Sequence, residues 1–347
     1  MRIAASLTSL LAGCASFLLV TAALRPTLGG GDESDSRSEI KFREYARHKD
    51  EYDTLILGSS RAFRGFDPQH FDRLMEDAGT PTRAFNFGIP GARVMEIDRL
   101  LERIAALRPA RLRWLLVDPE RLEVLVDDEN ALSRPVIDWH DLRRTRVICS
   151  YALRGQRGWL REWRRIEPHV VACAYNLVGV GRGLALCDLA LGSVPDPDWV
   201  ADTLGPRKDG FPVLGTDRAR HRRFLRTLDD YHALLADYRE LELDDGPAAP
   251  EALEMFDSLA ERAERLGARL VLLTQPGLFL EDDLIKAADS GRVATLLRYD
   301  DPDAVPELYA PEARFDSNHL NGVGALAFTG LLARDLQRLA RESEREP

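Results

Sequence analysis

The sequence predicts an α/β protein, a three-layer α/β/α arrangement around a central parallel sheet, with a mainly helical insertion. Two observations predict the layers. Short apolar runs alternate with amphipathic helical segments across residues 51–132, and the same alternation returns across residues 246–343. Strand, helix and strand joined by short connections imply parallel strands covered by helices. A third observation predicts the insertion. Residues 133–245 have a different texture: Trp139, Trp159 and Trp163, an apolar stretch from Val170 to Leu191, and a Pro/Gly-rich segment from Val194 to Gly215.

Composition narrows the function. The chain has 347 residues, 45% of them apolar, which is enough to bury a sizeable core and excludes global disorder. The formal charge is −10, and an acidic surface repels phosphates, so no nucleic-acid partner is expected. The four cysteines are Cys14, Cys149, Cys173 and Cys187. None forms a CxxC pair and no His stands at ligand spacing from them, so no metal or cofactor is expected. Buried free thiols are the simplest reading, and a Cys173–Cys187 disulfide is the alternative in an oxidising compartment.

The N-terminal part, residues 1–25, is read first as a membrane anchor. Ile3 to Leu24 is free of charge, and a helix of about 20 residues crosses the hydrocarbon core. A cleaved signal ending near Ala22-Ala23 is an alternative. So is a lipoprotein signal at Leu11-Ala12-Gly13-Cys14. All three readings put the remaining chain outside the cytoplasm. Residues 26–50 form a Gly/Asp/Ser linker and a charged lead-in helix over Lys41–Asp50.

Each later element has its own signal. Thr54 to Leu57 is a short apolar run closed by Gly58, hence a buried strand. Pro68 to Asp77 keeps Phe71, Leu74 and Met75 on one helical face. Thr82 to Phe87 is a second strand, and Val94 to Leu107 is an amphipathic helix with Ile97, Leu100, Leu101, Ile104 and Leu107 on one side. Arg113 to Val117 is a third strand. Arg218 to Leu243 reads as one long charged helix. Pro250 to Leu266 is a helix, Arg269 to Thr274 a strand, and Gly324 to Arg341 a closing helix.

Two short segments carry chemistry. In Gly58-Ser59-Ser60-Arg61 a serine follows a buried strand, at the carboxyl end of the sheet where such folds bind ligands. Serine is a weak nucleophile and needs an oriented base. In Asp316-Ser317-Asn318-His319 the spacing lets a carboxylate hold one imidazole nitrogen and leave the other to take a proton. Alone, the first is a loop and the second a helix cap. Together, with Asn86-Phe87-Gly88-Ile89-Pro90-Gly91 after the second strand, they resemble the SGNH (GDSL-type) hydrolase superfamily, whose sheet is flavodoxin-like.

The resemblance covers residues 53–120 and 265–340, and it implies roles. Ser60 stands as nucleophile, His319 as base and Asp316 as its partner. Asn86 and Gly91 fall in the oxyanion block, with Gly91 lending a backbone N–H. Ser59 replaces the family's usual Asp. The family's third block supplies an Asn donor, but here Asp118-Pro119-Glu120-Arg121 follows the third strand. Losing one such donor costs about 10²–10³ in rate. Arg61 either stabilises negative charge at the site or pairs with an acid.

The resemblance therefore implies a serine-dependent esterase or O-acyltransferase acting on an acylated glycan or another ester and working beside a polysaccharide-modifying assembly, to which the apolar run Ile3–Leu24 adds a membrane tether. A non-catalytic scaffold of that assembly and a lipase or lysophospholipase are the alternatives. Trp139-His140-Asp141 is a further candidate for the cleft, and Arg161 to Arg165 for an anionic surface. A packed histidine and a solvated helix face are the plainer readings.

Overall fold

The computed structural model describes residues 36–120, 133–154, 158–179, 196–212 and 218–343, with positions 16, 122 and 214. The anchor reading of Ile3–Leu24, the lipobox at Cys14, and Cys187 lie outside the described residues. Among the described residues, no helix is long and apolar enough to cross a membrane.

The chain divides into two compact units, the larger spanning Ile40–Glu123 and Asp196–Pro347, the smaller including Val124–Pro195. After α1 (Arg37–His48), the larger unit runs β1 (Thr54–Gly58), α2 (Ser60–Gly65), α3 (Pro68–Asp77), β2 (Ala84–Gly88), α4 (Val94–Leu107) and β3 (Trp114–Val117). The smaller unit contains α5 (Arg134–Trp139), α6 (Leu142–Ala152) and α7 (Trp159–Val178). The larger unit resumes with α8 (Pro197–Leu204), α9 (Arg218–Arg226), α10 (Leu228–Arg239), α11 (Pro250–Arg265) and β4 (Arg269–Thr274). It ends with α12 (Asp282–Asp289), β5 (Leu296–Arg298), α13 (Pro306–Tyr309) and α14 (Gly322–Ser343).

The sheet has five strands in the order β2-β1-β3-β4-β5, all parallel. Leu57 pairs with Phe87 on one side and with Val117 on the other. The strand order reverses at β1, so the crevice beyond its carboxyl end is where this topology places a ligand. Strand alternation sends Ile56, Leu116, Val271 and Leu273 into one core with Phe71, Met75, Phe328 and Leu332 from α3 and α14. The α4–α11 pair is tied by a buried polar link, in which Arg262 Nε (2.9 Å) and Ser258 Oγ (2.7 Å) both donate to Asp98.

The expected single helix over Arg218–Leu243 is two helices. It breaks at Thr227, whose backbone (φ −120°, ψ 35°) is not helical. The break lets Phe224 and Tyr231 meet edge to face at 5.3 Å within the main core. The same packing places these helices in the α/β unit, whereas the sequence grouped them with the insertion. β5 has only three residues and no pattern that the sequence reading could register.

Candidate active site

Ser60 is placed by the end of β1. Ser59 caps α2, its Oγ accepting from Arg61 N at 3.3 Å, and Ser60 is the first helical residue. A residue there has a backbone N–H with no carbonyl of its own helix to bind. Ser60 is half-buried while its neighbours Ser59 and Arg61 are buried. The helix is pressed against the end of β2. A Cβ on Gly88 would lie 2.1 Å from Phe63 N, so only glycine permits this approach.

Two buried side chains secure the same corner. Asn86 is fully buried; its Nδ2 donates to Ala62 O (2.9 Å) and Phe66 O (2.8 Å), and its Oδ1 accepts from Gly88 N (2.7 Å). Lys41, equally buried, donates to the carbonyls of Asn86 (2.8 Å), Gly88 (2.8 Å) and Gly210 (2.7 Å).

His319 and Asp316 lie in a turn just before α14, not within the helix. Phe315 N donates to His319 O (2.8 Å) and closes the turn. Asn321 Oδ1 accepts from Val323 N (2.9 Å) and Gly324 N (3.1 Å), so Asn321, not Asp316, caps the following helix. Asp316 Oδ1 accepts from Asn318 N (2.9 Å), His319 N (2.9 Å) and His319 Nδ1 (2.8 Å). His319 Nε2 is 2.8 Å from Ser60 Oγ, 259 residues away in sequence. With the Nδ1 proton committed to the carboxylate, Nε2 is the acceptor for the serine proton.

Burial alone would raise Asp316. The hydrogen bond and charge of His319, the Asn318 N–H and the nearby Arg220 outweigh it and bring the carboxyl down to about 2. Arg314 stiffens the turn from below. It is fully buried and donates to the carbonyls of Asp316 (3.3 Å), Ser317 (2.6 Å), Pro276 (3.4 Å) and Leu308 (3.4 Å).

The structure joins Ser60, His319 and Asp316, and it separates two other candidates from the chemistry. Both amide hydrogens of Asn86 are donated to backbone carbonyls, leaving none for an oxyanion. Asn86 is a positioning residue, because its side chain bridges β2 to the carbonyls of α2 and the residue after it. Arg61 turns inward. Its Nη2 lies 3.3 Å from Asp118, 3.0 Å from Glu120 and 3.0 Å from Glu281, and Nη1 is 3.4 Å from Gln275 O. Burial opposes the charge on Arg61, but the three carboxylates hold it firmly protonated. Burial, with Glu120 and Glu281 nearby, holds Asp118 well above the usual carboxylate range despite Arg61.

The third-block position is thus filled by a structural acid, bonded also to Gln275 Nε2 at 3.0 Å. Glu120 takes a left-handed backbone (φ 55°) to reach Arg61. Gly91, at φ +79°, is exposed, and nothing lies within 4 Å of where a Cβ would stand.

Sequence reasoning missed Gly88, Lys41, Arg314, Gln275 and Arg220. Gly88 stood inside a recognised block. A buried Lys or Arg bonded to carbonyls leaves no local signature, since its partners are distant in sequence. His140 is packed inside the smaller unit. It stacks on Trp139 (3.5 Å between ring centres) and lies 2.8 Å from His169 Nδ1, and burial brings it down to about 3. Arg161 and Arg164 on α7 are solvated. Among the described residues Cys149 and Cys173 are free thiols, and no group of His, Cys, Asp or Glu could hold a metal ion. No family model and no curated protein matches the chain.

Proposed function

We propose that the chain is an SGNH-type serine esterase or O-acyltransferase acting on acyl esters of an extracytoplasmic glycan, with the N-terminal apolar segment as its tether. The observation that carries this reading is the continuous relay from Ser60 Oγ to His319 Nε2 (2.8 Å) and from His319 Nδ1 to Asp316 (2.8 Å). It lies beyond the carboxyl end of β1, where the strand order reverses. The glycan and the tether rest on the family resemblance and on the apolar run Ile3–Leu24 alone.

The chemistry follows from the relay. Ser60 Oγ attacks the ester carbonyl carbon as His319 Nε2 takes its proton. The tetrahedral intermediate places its oxyanion toward the N–H groups of Ser60 and Gly91. Collapse breaks the bond to the alcohol oxygen, which leaves with the proton from His319. Water, or an acceptor hydroxyl, then gives its proton to His319 and attacks the acyl-serine; collapse breaks the acyl–Oγ bond, His319 returns the proton to Ser60 Oγ, and an acid or a new ester leaves. With no side-chain oxyanion donor from the third block, the rate is expected to fall about 10²–10³ below that of a fully equipped site.

Hydrolysis of p-nitrophenyl acetate by the purified chain, beside Ser60→Ala and His319→Ala, tests this. Loss of turnover in both variants supports it. The altered third block favours one second reading, a non-catalytic glycan-binding scaffold. Glycan binding undiminished in Ser60→Ala, with no turnover of any ester or acceptor pair, would replace the first reading with that one.

A further inference from the structure

The catalytic turn carries a concentration of positive charge that the relay itself does not require. α9 has the sequence RARHRRFLR, five arginines in nine residues, within a chain of net charge −10. Phe224 anchors this helix in the core. One turn earlier, His221 Nδ1 lies 3.1 Å from Phe315 O, and the two rings stack at 5.9 Å with planes 9° apart. That anchoring brings Arg220 Nη2 to 2.7 Å from Asp316 Oδ2. From the other side, Arg64 follows Ser60 by one helical turn on α2, and its guanidinium lies 3.9 Å from the centre of the same Phe315 ring. Arg220 lies over that ring too, at 5.8 Å. Two guanidiniums therefore lie on the Phe315 ring, next to Asp316 in the chain.

The Arg220–Asp316 pair has an unusual consequence. Asp316 keeps three donors from Asn318 and His319 on Oδ1, so it does not depend on Arg220. The Arg220 side chain is 56% exposed, and an ion pair open to water is weak and yields to a competing anion. A guanidinium fork matches a carboxylate in two-pronged geometry.

We propose that Arg220, aided by Arg64, recognises a carboxylate carried by the substrate beside its ester, so that the substrate class is an acidic, uronate-type glycan ester and not a neutral one. On binding, Arg220 exchanges Asp316 for the substrate carboxylate, and Asp316 keeps its donors from Asn318 and His319. This deepens the acyl-ester reading and rests on it for the chemistry, though not for the binding.

The test has a binding arm and a turnover arm. Calorimetry on the purified full-length chain compares oligogalacturonate with an uncharged xylo-oligosaccharide of equal length. It is repeated for Arg220→Gln and for the double variant Arg222→Gln/Arg226→Gln, whose exposed side chains sit on the outer flank of α9. Oligogalacturonate is expected to bind at least about tenfold tighter than the neutral oligomer, with about tenfold lost in Arg220→Gln. The outer double variant is expected to retain wild-type affinity. Equal binding of the two oligomers overturns the inference. So does an equal loss in the outer double variant, which marks a diffuse cationic surface. Arg220-dependent capture of phosphatidylglycerol vesicles with no oligosaccharide bound also overturns it, in favour of a lipid headgroup.

In the turnover arm, the kcat/KM ratio of 4-acetoxybenzoate to p-nitrophenyl acetate should drop about tenfold in Arg220→Gln. An unchanged ratio overturns the inference and leaves the esterase reading standing. Arg220-dependent binding with no ester hydrolysed does the reverse.

Discussion

Asp316 has more donors than an orienting carboxylate needs. Two backbone N–H groups and the imidazole converge on Oδ1, and Arg220 occupies Oδ2. An amide at this position can keep the turn, accepting on its oxygen, but has no charge to offer a histidine cation. Asp316→Asn is therefore expected to fold and to lose about 10²–10⁴ in kcat for ester hydrolysis, measured against wild type at matched KM saturation. Arg61 sits next to Ser60 in sequence and yet belongs to a different structure, the acid box of Asp118, Glu120 and Glu281. Arg61→Met leaves the buried Asp118 and Glu281 and the half-buried Glu120 without their cation. A loss of about 3–5 kcal/mol in urea unfolding is expected. A loss below about 1 kcal/mol would show that water already solvates the box.

Among the elements, α2 is the one on which the site depends. It is six residues long and too short to hold itself. Its position comes from Gly88 beneath it, from Asn86 bridging to its carbonyls, and from Lys41 fixing the end of β2. Gly88→Ala forces backbone apart and is expected to cost about 1–3 kcal/mol and to cut turnover more than a distant change of equal stability cost. Lys41→Met leaves three carbonyls without their donor, a loss of about 3 kcal/mol or more in chemical denaturation.

These supports mark the limit of what the sequence discloses. α3 and α4 were legible to the residue, because their apolar spacing and Pro or capping starts are local signals. The three strands β1, β2 and β3 were legible as apolar runs. The relay was legible as two motifs, though the Asp-His pair proved to be a turn closed by Phe315 and His319, where helical spacing had suggested a helix start. Arg314, Lys41 and the inward turn of Arg61 were not legible, since each is decided by carbonyls or carboxylates from distant segments. The break at Thr227 was hidden because α9 and α10 are both charged, and only the packing of Phe224 on Tyr231 separates them.

Over the whole molecule, two buried acids pull stability in opposite directions with pH. Asp316 has a folded value near 2, below the ordinary carboxylate value of about 3.9, so the unfolded chain binds its proton first as pH falls. Its contribution is fully present above about pH 4 and is lost as pH falls toward 2. Asp118 is held well above the ordinary range, so the folded chain keeps a proton that the unfolded chain has released. Its contribution is fully present below about pH 4 and is lost as pH rises toward the point where Asp118 ionises. Denaturant unfolding across pH should therefore show a flatter acid limb in Asp316→Asn and a flatter neutral limb in Asp118→Asn. Parallel curves for Asp118→Asn and wild type would place the charge of the box elsewhere.

The central claim is that Ser60 is a nucleophile driven by His319. Treating the purified chain with phenylmethylsulfonyl fluoride and mapping the adduct by peptide mass spectrometry addresses it without any knowledge of the substrate. One sulfonyl group on Ser60, with labelling slowed at least about a hundredfold in His319→Ala, is the predicted result. No adduct on Ser60, or one that forms equally fast without His319, would contradict the account.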